Sequence, residues 1–130
     1  MRFALGVHGS PYSSQASATA LRFAIAALAK GMEIRRVFFF HDGSLTGNAI
    51  AFAPQDSAPS RDAWAELAVR YDFELAICIA TALKRGVVDE DERARYGLPG
   101  PSLHPAFTLV GLGQLIDAMS DCDRLVTFSP

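Results

Sequence analysis

The chain has 130 residues, half of them apolar and a fifth charged, with a net charge of −2. That length suits one domain around a single core, and that composition argues against disorder. The charge gives no electrostatic case for direct nucleic-acid binding, and no apolar run approaches the roughly 20 residues that a membrane span needs.

The N-terminal "MRFALGVHG" has an apolar run too short for a signal peptide, and glycine interrupts it, so cytoplasmic residence with two reduced cysteines is expected. The run Arg2 to Val7 reads as a buried first strand ending at the glycine-rich turn "GVHGSPYSS". After Pro11 the alanine-rich "SSQASATALRFAIAALAKG" predicts a helix with serine caps at its start and a stop at Gly31. A second strand is expected at about Ile34 to Phe40, ending at His41-Asp42-Gly43. The looser "SLTGNAIAFAPQDSAPS" follows, punctuated by Pro54 and Pro59. In "SRDAWAELAVRYD", Ser60 is a candidate cap, and Trp64, Leu67, Ala68 and Tyr71 fall at helical spacing.

"ELAICIA" predicts the third strand, and "IATALKRG" the start of a helix directly behind it. "DEDERARYG" places acids in its first turn and arginines later, which suits a helix dipole, and Gly97 ends it. "LPGPSLHP" reads as a loop, "AFTLV" as a fourth strand, "GLGQLIDAMSD" as a helix and Leu125 to Phe128 as the last strand. Short apolar strands alternating with helices predict an α/β fold, a single-domain α/β/α sandwich over residues 1–130 with a mainly parallel sheet of about five strands. A doubly wound arrangement is expected, although the pattern does not dictate strand order.

In open parallel sheets, ligands and catalytic groups gather at the carboxyl ends of the strands. Four segments should meet that edge: His8 to Ser14, His41 to Ser44, Cys78 to Ala80, and Gly111 to Gly113. "GVHGSPYSS" and "GLGQL" lack dinucleotide spacing and no phosphate-loop motif occurs, so plain turn glycines are the expectation and no cofactor is called for. His8, His41 and His104 are scattered, and neither cysteine has a partner at zinc-like spacing, so no metal site is expected.

Cys78 is the residue with chemistry at that edge. A cysteine is often a small inert core hydrophobe. At the junction of a strand and a helix, however, free helix N–H groups face the sulfur and favour thiolate, the nucleophilic form. An exposed helix end contributes about 0.3 to 1 kcal/mol. That is short of the roughly 2 kcal/mol needed to bring an ordinary thiol to half ionisation at neutral pH. Lys84, Arg85 and His41 are candidates for added positive potential, with an ordinary solvated helix face as the plainer alternative for each. Cys122 precedes the last strand, whereas Cys78 ends its own, so the two should occupy opposite sheet edges. A strand spans roughly 17 to 20 Å and a disulfide needs Cα atoms within about 7 Å. No internal disulfide is expected, and Cys122 reads as structural.

Four stretches together resemble the DsrE/TusD family of sulfurtransferase subunits: "MRFALGVHGSPYSSQASATALRFAIA", "VFFFHDG", "ICIATALKRGVVDEDE" and "FTLVGLGQLIDAMSDCDRLVTF". The likeness covers nearly the whole chain, and Cys78 with "ALKRGVVDE" and the "GLG" helix carries its specificity. It implies that Cys78 matches the family's sulfur-carrying cysteine, which takes up sulfane sulfur as a persulfide and passes it to a partner thiol with no cofactor. It implies assembly with DsrF/TusC-like and DsrH/TusB-like subunits as a heterohexamer, a dimer of heterotrimers, and delivery to a DsrC/TusE-like acceptor.

The resemblance spans two settings, the oxidation of stored sulfur for DsrE and the 2-thiolation of wobble uridine in transfer RNA for TusD. The "FAPQDSAPSRDAW" loop and the "GLPGPSLHP" insert lean it towards the first. The apolar "NAIAFAP", Asn48 to Pro54, is a candidate interface, with a loop packed on its own domain as the alternative. Two other classes stay open, a non-catalytic scaffold subunit and a flavodoxin-like nucleotide binder.

Overall fold

The computed structural model describes residues 1–52 and 59–130. In chain order these form β1 (Arg2–Val7), α1 (Gln15–Ala29), β2 (Glu33–Phe39), a 3-10 helix (His41–Gly47), α2 (Ser60–Tyr71) and β3 (Glu74–Cys78). Then come α3 (Ile79–Lys84), α4 (Glu90–Tyr96), β4 (Phe107–Val110), α5 (Leu112–Ser120) and β5 (Arg124–Phe128). All strand pairings are parallel, in the order β4-β3-β2-β1-β5. The α/β architecture read from the alternating pattern is the one observed.

Local chemistry accounts for the helix ends. Ser14 caps α1 by accepting from the Ala16 N–H, and Asp89 caps α4 by accepting from the Glu92 N–H. Gly31 and Gly97 close the same two helices at φ of 82° and 63°, the left-handed region that glycine enters without a Cβ clash. Ser60 is not a cap: Pro59 holds that position with no side-chain bond, and Ser60 is the first helical residue. The 3-10 helix replaces a stretch expected to be irregular. Residues 53–58, which fall in "NAIAFAP" and "FAPQDSAPSRDAW", lie outside the described residues.

Alternation along the strands sorts their side chains onto two faces. Phe3, Leu5, Val7, Val37, Phe39, Leu75, Ile77 and Phe107 point to one face and build the main core. Trp64 of α2 and the alanine face of α1 complete it, Trp64 fully buried edge-on against Phe39. Ala82 of α3 belongs to the same side. On the opposite face a smaller cluster joins Phe38, Ala76 and Val110 to Phe40, Cys78 and Leu115 of α5. The buried Arg36, on that face, donates to the Glu74 carboxylate and, at 2.7 Å, to the Gln114 carbonyl, tying α5 to β2.

Strand order explains the unequal faces. β1, β2, β3 and β4 succeed one another in one direction across the sheet, whereas β5 returns beyond β1. Right-handed crossovers then place the first three connections on one face and the β4–β5 connection, α5, on the other.

Candidate functional site

Neighbouring strands β3 and β4 send their chains to opposite faces as they end: β3 into α3 on the main-core side, β4 into α5 on the other. Such a reversal opens a crevice at the carboxyl edge, the usual ligand position in open α/β sheets. Cys78 ends β3 in register with Val110, and Gly111 follows Val110 as the N-cap of α5. Cys78 is itself the N-cap residue of α3, with φ −60° and ψ 118°. It is half-buried and unpaired as a free thiol, packed beside Phe40 and Leu115 on the thinner face.

All four edge segments named from the sequence follow adjacent strands, β1 to β4. Phe39 pairs with Val7 on one side and with Ile77 on the other, so the next residues, His8, Phe40 and Cys78, succeed one another across the same face. The His8 ring packs on Phe40 at 3.7 Å between centroids and lies 5.4 Å from His41. Its Nε2 is buried without a hydrogen-bond partner. Burial pushes the His8 imidazole below its usual range, and the neighbouring His41 adds to the shift. Phe40 therefore stands between His8 and Cys78 in the strand order.

The turn after β2 is sharp. His41 adopts φ 51°, left-handed for a residue with a side chain, and a Cβ on Gly43 would come within 2.1 Å of the Val7 carbonyl oxygen. The 3-10 helix therefore tucks against β1 and meets α3. Ser44 Oγ, on a fully buried residue, lies 2.7 Å from Thr81 Oγ1, and Thr81 Oγ1 donates to the Cys78 carbonyl at 3.2 Å. Arg85 donates to Asp42 Oδ1 at 3.0 Å and to the Thr81 carbonyl at 3.1 Å.

Of the candidates for added positive potential, Arg85 pairs with Asp42. Lys84 is exposed at the far end of α3. Asp42 and Ser44 fell within the edge segment His41 to Ser44 but their partners were not foreseen, and Thr81 was missed. Thr81 had a local signal, a hydroxyl three residues after the strand-ending Cys78, where such side chains bond backward. Ser44 had none, because its partner is 37 positions away.

Cys122 lies at the other end of the sheet, one residue before Asp123, whose N–H donates to the Arg2 carbonyl at 2.8 Å. Burial pushes its thiol up, against the pull of Arg35. His104 is remote from His8 and His41: its Nδ1 accepts from the Ala106 N–H and its Nε2 sits 3.8 Å from Asp62. No three His, Cys, Asp or Glu side chains gather as metal ligands among the described residues. An open depression lined by Ser13, Ser14, Thr19, Thr127 and Ser129 lies beyond β1, away from Cys78. It holds no nucleophile beyond hydroxyls.

Fold and edge together define a parallel α/β protein with a free, half-buried thiol at the carboxyl edge of its sheet. The chain belongs to the DsrE/DsrF-like family, whose model matches residues 1–128. It is 47% identical over 128 residues to a protein of Allochromatium vinosum named "Putative sulfurtransferase DsrE", covering 98% of each chain. It is 42% identical over 128 residues to the sulfurtransferase TusD of Salmonella newport, covering 98% of this chain and all of the other. Among solved structures, the YchN protein of E. coli superposes with a TM-score of 0.75 at 18% identity, covering 98% of this chain and 99% of that one. That likeness bears on the fold alone.

Proposed function

We propose that the chain is a sulfurtransferase subunit that carries sulfane sulfur on Cys78. The observation that carries the reading is the position of Cys78: half-buried, free, and ending a strand where two neighbouring chains leave the sheet in opposite directions. In the first step the Cys78 thiolate attacks the outer sulfur of a donor persulfide. A bond forms between Sγ and that sulfur, the donor S–S bond breaks, and the donor leaves as a thiolate with the bonding electron pair. In the second step an acceptor thiolate attacks the outer sulfur of the Cys78 persulfide and the Cys78 thiolate is regenerated. Neither step needs an external oxidant, a metal or an organic cofactor.

In this reading the partners are DsrF/TusC-like and DsrH/TusB-like sister subunits in a heterohexamer, and a DsrC/TusE-like acceptor, a proposal that family membership supports. Exposed apolar side chains support a protein that works in an assembly. Leu112, Ile116 and Met119 of α5 are 61%, 64% and 46% exposed at helical spacing, and Ile50 and Phe52 are 70% and 73% exposed. We favour the oxidation of stored sulfur as the setting, in keeping with the higher identity to DsrE, and a TusD-type relay to transfer RNA is the second reading. A cytoplasmic location fits a chain in which no helix among the described residues is long and apolar enough to cross a membrane.

The test is incubation with glutathione persulfide followed by peptide mass spectrometry. One added sulfur atom on the Cys78 peptide is expected, absent in Cys78→Ser and retained in Cys122→Ser. Loading chiefly on Cys122 would reject the Cys78 assignment, and unchanged assembly and sulfur flow through a complex carrying Cys78→Ser would leave only a scaffold role.

A further inference from the structure

The turn that bears Cys78 is held by a chain of hydroxyls from a different segment. Each hydroxyl has one proton to give. Thr81 spends its proton on the Cys78 carbonyl, so the 2.7 Å contact with Ser44 must run from the Ser44 hydroxyl to Thr81 Oγ1. The sequence of donors is therefore Ser44 to Thr81 to the Cys78 carbonyl, joining the 3-10 helix after β2 to the first turn of α3. Arg85 doubles the link by bridging Asp42 and the Thr81 carbonyl. The core would be served as well by Ala at position 44 and Val at position 81, which fill similar space. What the two hydroxyls add is a fixed orientation for the Cys78 backbone, at the one residue where strand geometry changes to helix.

We infer that Ser44 and Thr81 are positioning residues for sulfur transfer: they hold the N-cap turn and thereby fix the direction of Sγ at the carboxyl edge. The inference rests on the Cys78 reading above. Displacement at sulfur needs the attacking atom in line with the breaking S–S bond, so a loosened turn lowers the rate without removing the thiol.

The experiment measures the initial rate of persulfide loading at Cys78 from glutathione persulfide in the full chain, alongside the urea midpoint of each variant. Thr81→Val should slow loading about fivefold or more, the scale of one neutral hydrogen bond, and Thr81→Ser should restore it to within about twofold. Thr81→Val strands the buried Ser44 hydroxyl and lowers the midpoint. The double variant Ser44→Ala/Thr81→Val removes that stranded group and should regain most of the stability. Its loading should stay slow. A purely structural role makes stability and loading recover together in the double variant, and that result overturns the inference, as does wild-type loading in Thr81→Val. Wild-type chain that fails to load Cys78 at all overturns the carrier reading and this inference with it.

Discussion

Cys78 and Cys122 lie at opposite ends of one parallel sheet, the first closing β3 in register with Val110, the second just ahead of the residue that bonds to Arg2 at the start of β1. A folded chain cannot bring two such sulfurs within bonding reach. Mild oxidation with diamide should therefore give no internal disulfide. The products expected on a non-reducing gel are covalent dimers linked mainly through Cys78, and Cys78→Ser should suppress them. A Cys78–Cys122 peptide recovered from monomer would overturn this placement.

Gly43→Ala tests the turn that brings Ser44 to α3. A methyl group there would enter the Val7 carbonyl oxygen at 2.1 Å, a backbone atom that has no freedom to rotate away. The 3-10 helix must then lift from the end of β1. A loss of about 2 kcal/mol is expected, within the range for overpacking a close-fitting site. The check is a shifted urea midpoint with an unchanged denaturant slope. A variant as stable as the parent would show that the turn accommodates a side chain.

Arg36→Met should cost about 1–3 kcal/mol. It removes the donor to the Gln114 carbonyl and leaves the Glu74 carboxylate, itself 37% exposed, without its partner. Because part of that carboxylate reaches water, the loss falls below the roughly 3–5 kcal/mol of a broken, fully buried pair. Adding Glu74→Gln should return a good part of the stability, since the stranded charge is then gone. If the single variant were neutral in chemical denaturation, Arg36 would not anchor α5.

His8 makes stability depend on pH. Its folded-state affinity for a proton is depressed by burial and by His41, so the unfolded chain takes up the proton first as pH falls below about 6.5. The contribution is fully present above the unfolded value and is lost as pH falls through the depressed folded one. Glu90, held low by Arg93, titrates below this window. The urea midpoint should thus drop between about pH 7.5 and pH 5.5, and His8→Gln should shrink that drop. Equal drops in both proteins would assign the dependence elsewhere.

Most of the fold was legible because its signals are local. Continuous apolar runs mark strands covered on both faces, as at Arg2–Val7, and serine, aspartate and glycine punctuate α1 and α4. Ser60 misled because a proline directly ahead of it took the cap position, and two adjacent candidates cannot be ranked without backbone angles. The 3-10 helix was hidden because its stability comes from packing under β1 and against α3, and not from its own composition.

By itself the sequence determined that strands and helices alternate, that the sheet is mainly parallel, and that Cys78 ends a strand while Cys122 precedes one. Those properties depend on residues close in the chain, where periodicity and capping act. Only the tertiary structure decided that β5 returns beyond β1, and so that the chain reverses face between β3 and β4, beside Cys78. It alone paired Arg85 with Asp42 and Ser44 with Thr81. Contacts between residues some 40 positions apart depend on strand order, and strand order is set by how whole layers bury one another's apolar faces.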